Sequence, residues 1–496
     1  MALLLLSTIF FALIILYIFN FYYNVSKLPS SPFPLPVIGN AHLFDPKNLH
    51  KWILKQRETY GSVFTVYISH PIVVLSDVKA IKEASSAENS EFFSGRKLGF
   101  PDALFQEVQN TGIGLSTGYM WQIQRRLTLT IMRNFGMGQS LMENKIIESR
   151  NELMDYLNTL EDKKNVDFGR IIHLTVGNII NSVIFGFMYS YDDAKDFYNF
   201  TKLVDDSILC TLRWEFRFLS MFPKLADYQF VKDYIFPSFF SHNKELRQIN
   251  RERIQKAKES FRQDEEPQNL VNALFKEIYT EDSKYSCLNE THVNAIAFDM
   301  YLAGQETSTT TLKWLVVLLM KYPEMQQKIF EEISSTIGLE NEIKLSHKNQ
   351  LPFTMAFINE TQRWANILPL VTNHLCTKDT AICGKLIPKG SVVQPFYYGS
   401  NYDEAVFEKP YEFIPERFLL EDGKTLNKKL YEQMFSFGKG GRVCAGQSLA
   451  LSELQLIFPT LVQHYKFSPN GEIDMSTDFL SVIAPRKFTC KIAKRV

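Results

Sequence analysis

Cys444 lies in FGKGGRVCAG (Phe437–Gly446), a loop with four glycines and no second cysteine within forty residues on either side. Glycine opens backbone conformations closed to other residues, so such a loop can turn its N–H groups toward sulfur. The helical pattern SLALSELQLIF that follows adds the positive end of a helix, and Arg442 stands two residues before the thiol. The N–H groups and the helix end both favour thiolate over thiol. A thiolate serves as a nucleophile or as a metal ligand. A nucleophile wants a histidine base, and no histidine stands near this loop in any recognised hydrolase arrangement. Ligation is the better assignment, and one thiolate without a ligand cluster points to an iron that already takes four ligands from a macrocycle.

Four further constellations carry chemistry. In NETHVNAIAFDMYLAGQETSTTTLKWLVVLLMKYP, a helical pattern capped near Asn289 and stopped by Pro323 is interrupted by Gly304 and the polar run Gln305, Glu306, Thr307, Ser308. Either the hydroxyls bond back to the preceding turn, or the helix is kinked and a carboxylic acid beside a hydroxyl faces a site that handles protons. ETQR (Glu360–Arg363) sets carboxylate and guanidinium on one helix face, as a surface ion pair also would. PERF (Pro415–Phe418) supplies Arg417, and a buried Glu with two Arg would form a network that fixes geometry more than it adds stability. In WQIQRR, Trp121 and Arg125 are at i,i+4: a cation–π pair on a solvated helix, or a clamp whose indole N–H and guanidinium donate to a ligand's carboxylates.

These residues need a scaffold, and the rest of the sequence describes it. An uncharged apolar run, ALLLLSTIFFALIILYIFNFYY, is long enough to cross a bilayer. It has no basic residue ahead of it and ends in aromatics, which suits an uncleaved anchor over residues 1–24 better than a cleaved signal. The basic residues Lys27, Lys47, Lys51, Lys55 and Arg57 follow it, placing the body in the cytoplasm with reduced thiols. Residues 25–40 carry Pro29, Pro32, Pro34 and Pro36, a stiff connector that either only spaces the body or sets its height above the membrane. Residues 41–496 contain no linker, repeat or low-complexity tract and read as one large domain. SVFTVYIS (Ser62–Ser69) and PIVVLSD (Pro71–Asp77) read as a strand pair, with short strands and turns again from Ile382 to Tyr398. Elsewhere apolar residues recur at helical spacing, so the fold class is mainly α with a small β portion. The 54 basic residues balance 54 acidic ones, and nothing favours nucleic acid. The six cysteines contain no C-x-x-C pair and no zinc spacing.

In their order and spacing, FGKGGRVCAG, AGQETS, ETQR, PERF and WQIQR resemble the haem-thiolate loop, oxygen-activation helix, Glu-x-x-Arg helix, Arg-bearing loop and haem-propionate helix of a cytochrome P450. The anchor, the connector, FSGR (Phe93–Arg96) and Pro323-Glu324 resemble the microsomal, family-two-like branch. The resemblance covers essentially the whole chain and implies the cytochrome P450 fold with haem b as cofactor. Carried over residue by residue, it implies Cys444 as axial iron ligand, Phe437 packed over the haem, Gly440 permitting the turn and Arg442 paired with a propionate. Trp121, Arg125 and His374 match other propionate-binding positions. Ala303 and Gly304 would admit dioxygen and substrate, and Glu306 with Thr307 would deliver protons. Glu360, Arg363 and Arg417 would form a structural triad without chemistry. Gly438 stands where serine is common in the family, and with Gly441 it puts loop rigidity in question.

The implied reaction inserts one oxygen atom from dioxygen into a lipophilic molecule (fatty acid, steroid or xenobiotic), at the endoplasmic reticulum membrane. The chain has no Rossmann fingerprint, so an NADPH-dependent flavoprotein reductase would carry nicotinamide and flavin, with cytochrome b5 as a second donor. Arg125, Arg126, Arg133 and Lys439 are candidates for a docking face. FPDALFQEV, CTLRWEFRFLSMF, Phe298, ILPLV and FLSVIAP correspond to pocket-lining regions. A haem-thiolate isomerase and a non-enzymatic haem-thiolate gas sensor are the rival functions. The first needs no proton delivery, which the Glu306-Thr307 pair argues against; the second would oxidise nothing when given reductase and NADPH.

Overall fold

The computed structural model of the chain describes residues 1–496 apart from 46–47, 69, 98–105, 137–139, 212, 480–481 and 496. The apolar run forms one helix, Ala2–Val25. Its stretch Leu3–Val25 has a mean hydropathy of 2.5, none of it is buried against the body, and it is long and apolar enough to cross a membrane. The proline connector is docked onto the body. Proline has no N–H, but its carbonyl accepts like any other: Pro29 takes the Thr65 hydroxyl at 2.8 Å and Pro32 takes the Asn40 amide at 3.2 Å, while Ser30 takes the Thr65 N–H at 2.9 Å.

Val63–Tyr67 pairs antiparallel with Pro71–Leu75, the expected strand pair, because β-branched and aromatic residues fill both faces and bury on both. Pro71–Leu75 then pairs in parallel with Val392–Pro395, which pairs antiparallel with His374–Leu375. This four-stranded sheet joins residues more than three hundred positions apart and brings His374 into the body.

The remainder is predominantly helical. Its centre is the long helix Glu290–Lys321, capped by the Asn289 side chain, which accepts from the Thr291 N–H. That helix packs against Phe168–Ile184, Pro352–Ala365 and Gln447–His464, and the largest apolar cluster extends from Ile53 to Ile492 around it. Residues 290–321 form one unbroken α-helix. The hydroxyls of Thr307 and Thr311 donate to the carbonyls of Ala303 and Thr307 at 2.8 and 2.9 Å, so they are satisfied along the helix without opening its ladder. Gly304 has a packing reason, since a Cβ there would lie 2.6 Å from Ile180 Cδ1 on the helix Phe168–Ile184.

Candidate haem-binding site

The cysteine loop is closed by its own backbone, the Cys444 N–H donating to the Phe437 carbonyl at 2.8 Å. Gly440 has φ +79°, and a Cβ there would lie 2.9 Å from Ser90 Oγ, so the turn requires glycine twice over. Gly438 is no slack point either: its φ is +76°, a conformation that serine would strain. The Gly441 N–H donates to Ser90 Oγ at 2.9 Å and the Lys439 N–H to Tyr397 Oη at 3.2 Å, tying the flexible residues to other segments.

Electrostatics at the sulfur differ from expectation. The N–H groups of Gly446 and Gln447 and the Arg125 guanidinium do favour thiolate, but burial outweighs them and pushes the thiol up. Unaided, the loop therefore keeps Cys444 protonated; a metal ion, whose charge deprotonates a coordinating thiol outright, reverses this. Cys444 nevertheless keeps an open face. So does Ala303, in the middle of the long helix, although Tyr301, Gln305 and Ser308 around it are buried.

Beside the loop three guanidinium groups converge. Arg442 donates to the carbonyls of Ser94 at 2.8 Å and Ser116 at 2.7 Å, and its Cζ lies 3.8 Å from the Trp121 ring centroid. Arg125 donates to the Val443 carbonyl, so it turns inward and off the candidate docking face, leaving Arg126 and Arg133 exposed there. Arg96 joins them, donating to the carbonyls of Gly114 at 3.1 Å and Asn373 at 2.9 Å. Arg96 stands in FSGR, but its role here depends on the fold. Burial, then Arg96 and Arg125, push the Arg442 guanidinium down to about 8. Neither Arg125 nor Arg442 pairs with a carboxylate among the described residues.

Two more donors face this group. The Trp121 Nε1–H is buried with no hydrogen-bond partner among the described residues. His374 shares a small cavity with Gly440, Gly441 and Arg442, and its Nδ1 lies 2.6 Å from the Phe93 carbonyl. Burial, then Arg96, push its imidazole down to about 3, so the ring is neutral: Nδ1–H donates to Phe93 and Nε2 presents a lone pair. An anion placed among these groups would relieve the repulsion of the guanidiniums, accept from Trp121 and favour a charged His374. Two carboxylates on a flat iron macrocycle, with iron over an open cysteine, fit that donor set.

The remaining predicted residues fall into two groups. Glu306 and Thr307 are half-buried beside Ala303 on the long helix; Glu306 Oε1 accepts from the Thr310 hydroxyl at 3.1 Å, and His173 Nε2 lies 3.6 Å from Oε2. Glu360, Arg363 and Arg417 do come together. Arg363 grips Glu360 bidentately at 2.7 and 2.8 Å and Arg417 adds a bond at 3.2 Å, with Glu360 and Arg363 entirely buried. Of the expected pocket segments, most of FPDALFQEV lies outside the described residues. Trp214, Phe218 and Phe222 are exposed, while Leu219 and Phe216 pack with Val231, Phe236 and Phe239 in a satellite cluster, so that segment divides its apolar side chains between solvent and the cluster. ILPLV and FLSVIAP are joined by the Ile483 N–H donating to the Ile367 carbonyl at 2.7 Å.

The family model for cytochrome P450 matches residues 29–492. Cytochrome P450 2G1 of Rattus norvegicus is 32% identical over 462 residues, covering 91% of this chain and 90% of the relative. Cytochrome P450 2E1 of Rattus norvegicus is 32% identical over 460 residues and cytochrome P450 2B4 of Oryctolagus cuniculus 32% over 469, with the same shares. An iron-ready cysteine, an anion-seeking cluster beside it and likeness along nine-tenths of the chain agree: this chain belongs to the cytochrome P450 family, the haem-thiolate monooxygenases whose cofactor is haem b.

Proposed function

We propose that this monooxygenase inserts one oxygen atom of dioxygen into a lipophilic substrate of the fatty-acid, steroid or xenobiotic class, drawing electrons from NADPH through a flavoprotein reductase. The observation that carries the reading is the convergence of Trp121, Arg125 and Arg442 beside the Cys444 loop, in a chain whose long helix bears the Glu306-Thr307 pair. Haem b supplies the reductive splitting of dioxygen and the transfer of one of its atoms. Cys444 ligates the iron, Phe437 and Gly440 shape the loop over it, and Trp121, Arg125 and Arg442, with His374 and Arg96 beside them, hold the propionates. Ala303 leaves the long helix open there, and Gly304 lets the neighbouring helix approach. Thr307 keeps its hydroxyl fixed by its bond to Ala303, with lone pairs left to accept a proton from Glu306. Glu360, Arg363 and Arg417 hold the segment 401–412, whose carbonyls the two guanidiniums take.

Phe298, Ile367 and Ile483, all apolar, support a lipophilic substrate. Residues 1–24 anchor the chain in the endoplasmic reticulum membrane, residues 25–40 connect, and residues 41–496 form the cytoplasmic catalytic domain. The basic residues just after the anchor support that orientation. Exposed Arg126 and Arg133 support docking of an acidic reductase or cytochrome b5 face.

The test is the carbon monoxide difference spectrum of the reduced protein. The wild type should show the red-shifted Soret band of a thiolate-ligated haem and Cys444→Ser should lose it; persistence in the mutant overturns the assignment. Product formed with reductase and NADPH separates a monooxygenase from a gas sensor.

A further inference from the structure

The helix Ala2–Val25 rises about 36 Å against a hydrocarbon layer of about 30 Å, so the residues that follow it lie at the depth of lipid headgroups. Its last turn is fixed to the body: the Tyr22 ring stacks on Phe33 with centroids 5.6 Å apart, and its hydroxyl donates to the Pro34 carbonyl at 3.3 Å. Lys27 stands just beyond the helix, its Nζ 4.0 Å from the Tyr23 ring centroid. A hairpin distant in sequence comes alongside. Thr380–Ile382 pairs with Lys385–Ile387 through a turn in which Cys383 and Gly384 have φ +48° and +73°. Ile382 and Ile387 are entirely buried and bolt the hairpin to the body, while Leu386, on the opposite face from Ile387, is 59% exposed. Between connector and hairpin runs an open groove of about 590 Å³, with Lys27, Leu28 and Ser30 on one side and Lys385 and Leu386 on the other. Neither lysine pairs with a carboxylate among the described residues. The carboxylates bonded at the hairpin's tip and base, Glu83 and Asp379, do not line the groove; they accept from the N–H groups of Cys383 at 3.1 Å and Lys389 at 2.6 Å.

Two cations, a hydroxyl and apolar walls at headgroup depth suit a ligand that joins an anionic, phosphate-bearing head to acyl chains. A soluble phosphate would use the lysines and leave the leucines bare, and a zwitterionic lipid brings its own cation against them. We propose that this groove holds the headgroup of an anionic phospholipid of the membrane that the anchor crosses. Lys27 and Lys385 take its charge, Ser30 donates to its oxygens, and Leu28 and Leu386 lie along the first carbons of its chains. The lipid thereby bridges connector and hairpin and fixes how the body sits on the membrane surface. This rests on the reading of residues 1–24 as a membrane anchor.

The experiment reconstitutes the full chain in vesicles of phosphatidylcholine and phosphatidylserine, each lipid supplied in turn as a photoactivatable probe, and maps the crosslinked peptides by mass spectrometry. Peptides carrying residues 26–30 and 384–388 should take the serine probe about five- to twentyfold over the choline probe, and Lys385→Gln, far from the anchor in sequence, should cut that preference about fivefold. Lys27→Gln with Lys385→Gln should abolish it. Lys51→Gln with Lys55→Gln, which removes the same charge from the exposed side of the helix Leu49–Tyr60, should leave it intact. Equal labelling by the two probes, a preference that survives the first double variant, or one lost in the second overturns the proposal. So does competition by inorganic phosphate beyond that of sodium chloride at equal ionic strength, which would mark a site for soluble anions. Alkaline carbonate extraction of the wild type tests the underlying reading separately: if the chain is extracted, the anchor reading fails and this proposal with it, whereas a chain that stays in the membrane without the lipid preference refutes this proposal alone.

Discussion

Replacing Glu360 by glutamine keeps the side chain's shape and removes its charge. The carboxylate accepts four hydrogen bonds, two from Arg363, one from Arg417 and one from the Ile414 N–H at 2.9 Å. An amide has one acceptor oxygen, and its NH2 would face a guanidinium. Neither Glu360 nor Arg363 reaches solvent, so water cannot take over. Breaking a buried pair from one side costs about 3–5 kcal/mol. Arg363 keeps the carbonyls of Asn401 at 2.9 Å and Pro410 at 2.8 Å, which puts the expected loss at the low end, about 3 kcal/mol. A chain of this length unfolds with an entropy of about 1 kcal/mol/K, so Tm should fall by about 3 °C. Thermal unfolding followed by circular dichroism measures this for Glu360→Gln, Arg363→Met and the double variant. The double variant should be no less stable than either single one, because removing the cation removes its desolvation penalty. An unchanged Tm in Glu360→Gln, or a double variant that loses the sum of the two singles, would refute the argument.

Two further outcomes follow from buried polar groups. Glu453, on the helix behind Cys444, is fully buried, and neither carboxyl oxygen has a hydrogen-bond partner among the described residues. Burial pushes it from 4.5 to about 8, opposed by the nearby Ser308 hydroxyl. A carboxyl raised on folding contributes stability that is full below pH 4.5 and is lost as pH rises through 8. Glu453→Gln should therefore lose less stability than the wild type as pH rises from 4.5 to 8, and parallel stability curves across that range would count against it. At the propionate cluster, Trp121→Phe leaves a ring under Arg442 but removes the orphaned N–H. Haem transfer to an excess of apo-globin should show affinity lowered by about 1.5–3 kcal/mol, roughly ten- to a hundredfold; equal retention would mean that the indole donates elsewhere.

Much of this was legible before folding because it depends on neighbours in the chain. The glycine turns around Cys444, the Asn289 cap, the stop at Pro323, the strand pair at residues 63–75 and the apolar run at the N-terminus are set by backbone freedom, capping and periodicity over a few residues. So was the list of groups able to do chemistry: a lone cysteine in a permissive loop, an acid beside a hydroxyl, an indole one turn from a guanidinium.

The tertiary structure decided which alternatives those groups take, because burial and long-range partners have no signature in spacing. ETQR reads equally as a surface ion pair; three carbonyls from residues 401–412 close over Arg363 and make it a core element. Arg125 reads as a docking residue until the helix turns it toward Val443. Gly304 suggests a kink, and the approach of Ile180 gives the glycine a packing reason that spacing does not show. The loop around Cys444 argues for a thiolate, yet desolvation favours the thiol until a metal arrives. His173 and Arg96 gain their neighbours only when residues more than a hundred positions away fold against them. The sequence by itself determined which atoms could bind iron and move protons; the packed structure determined which of them face one another, through desolvation and contact that no local pattern encodes.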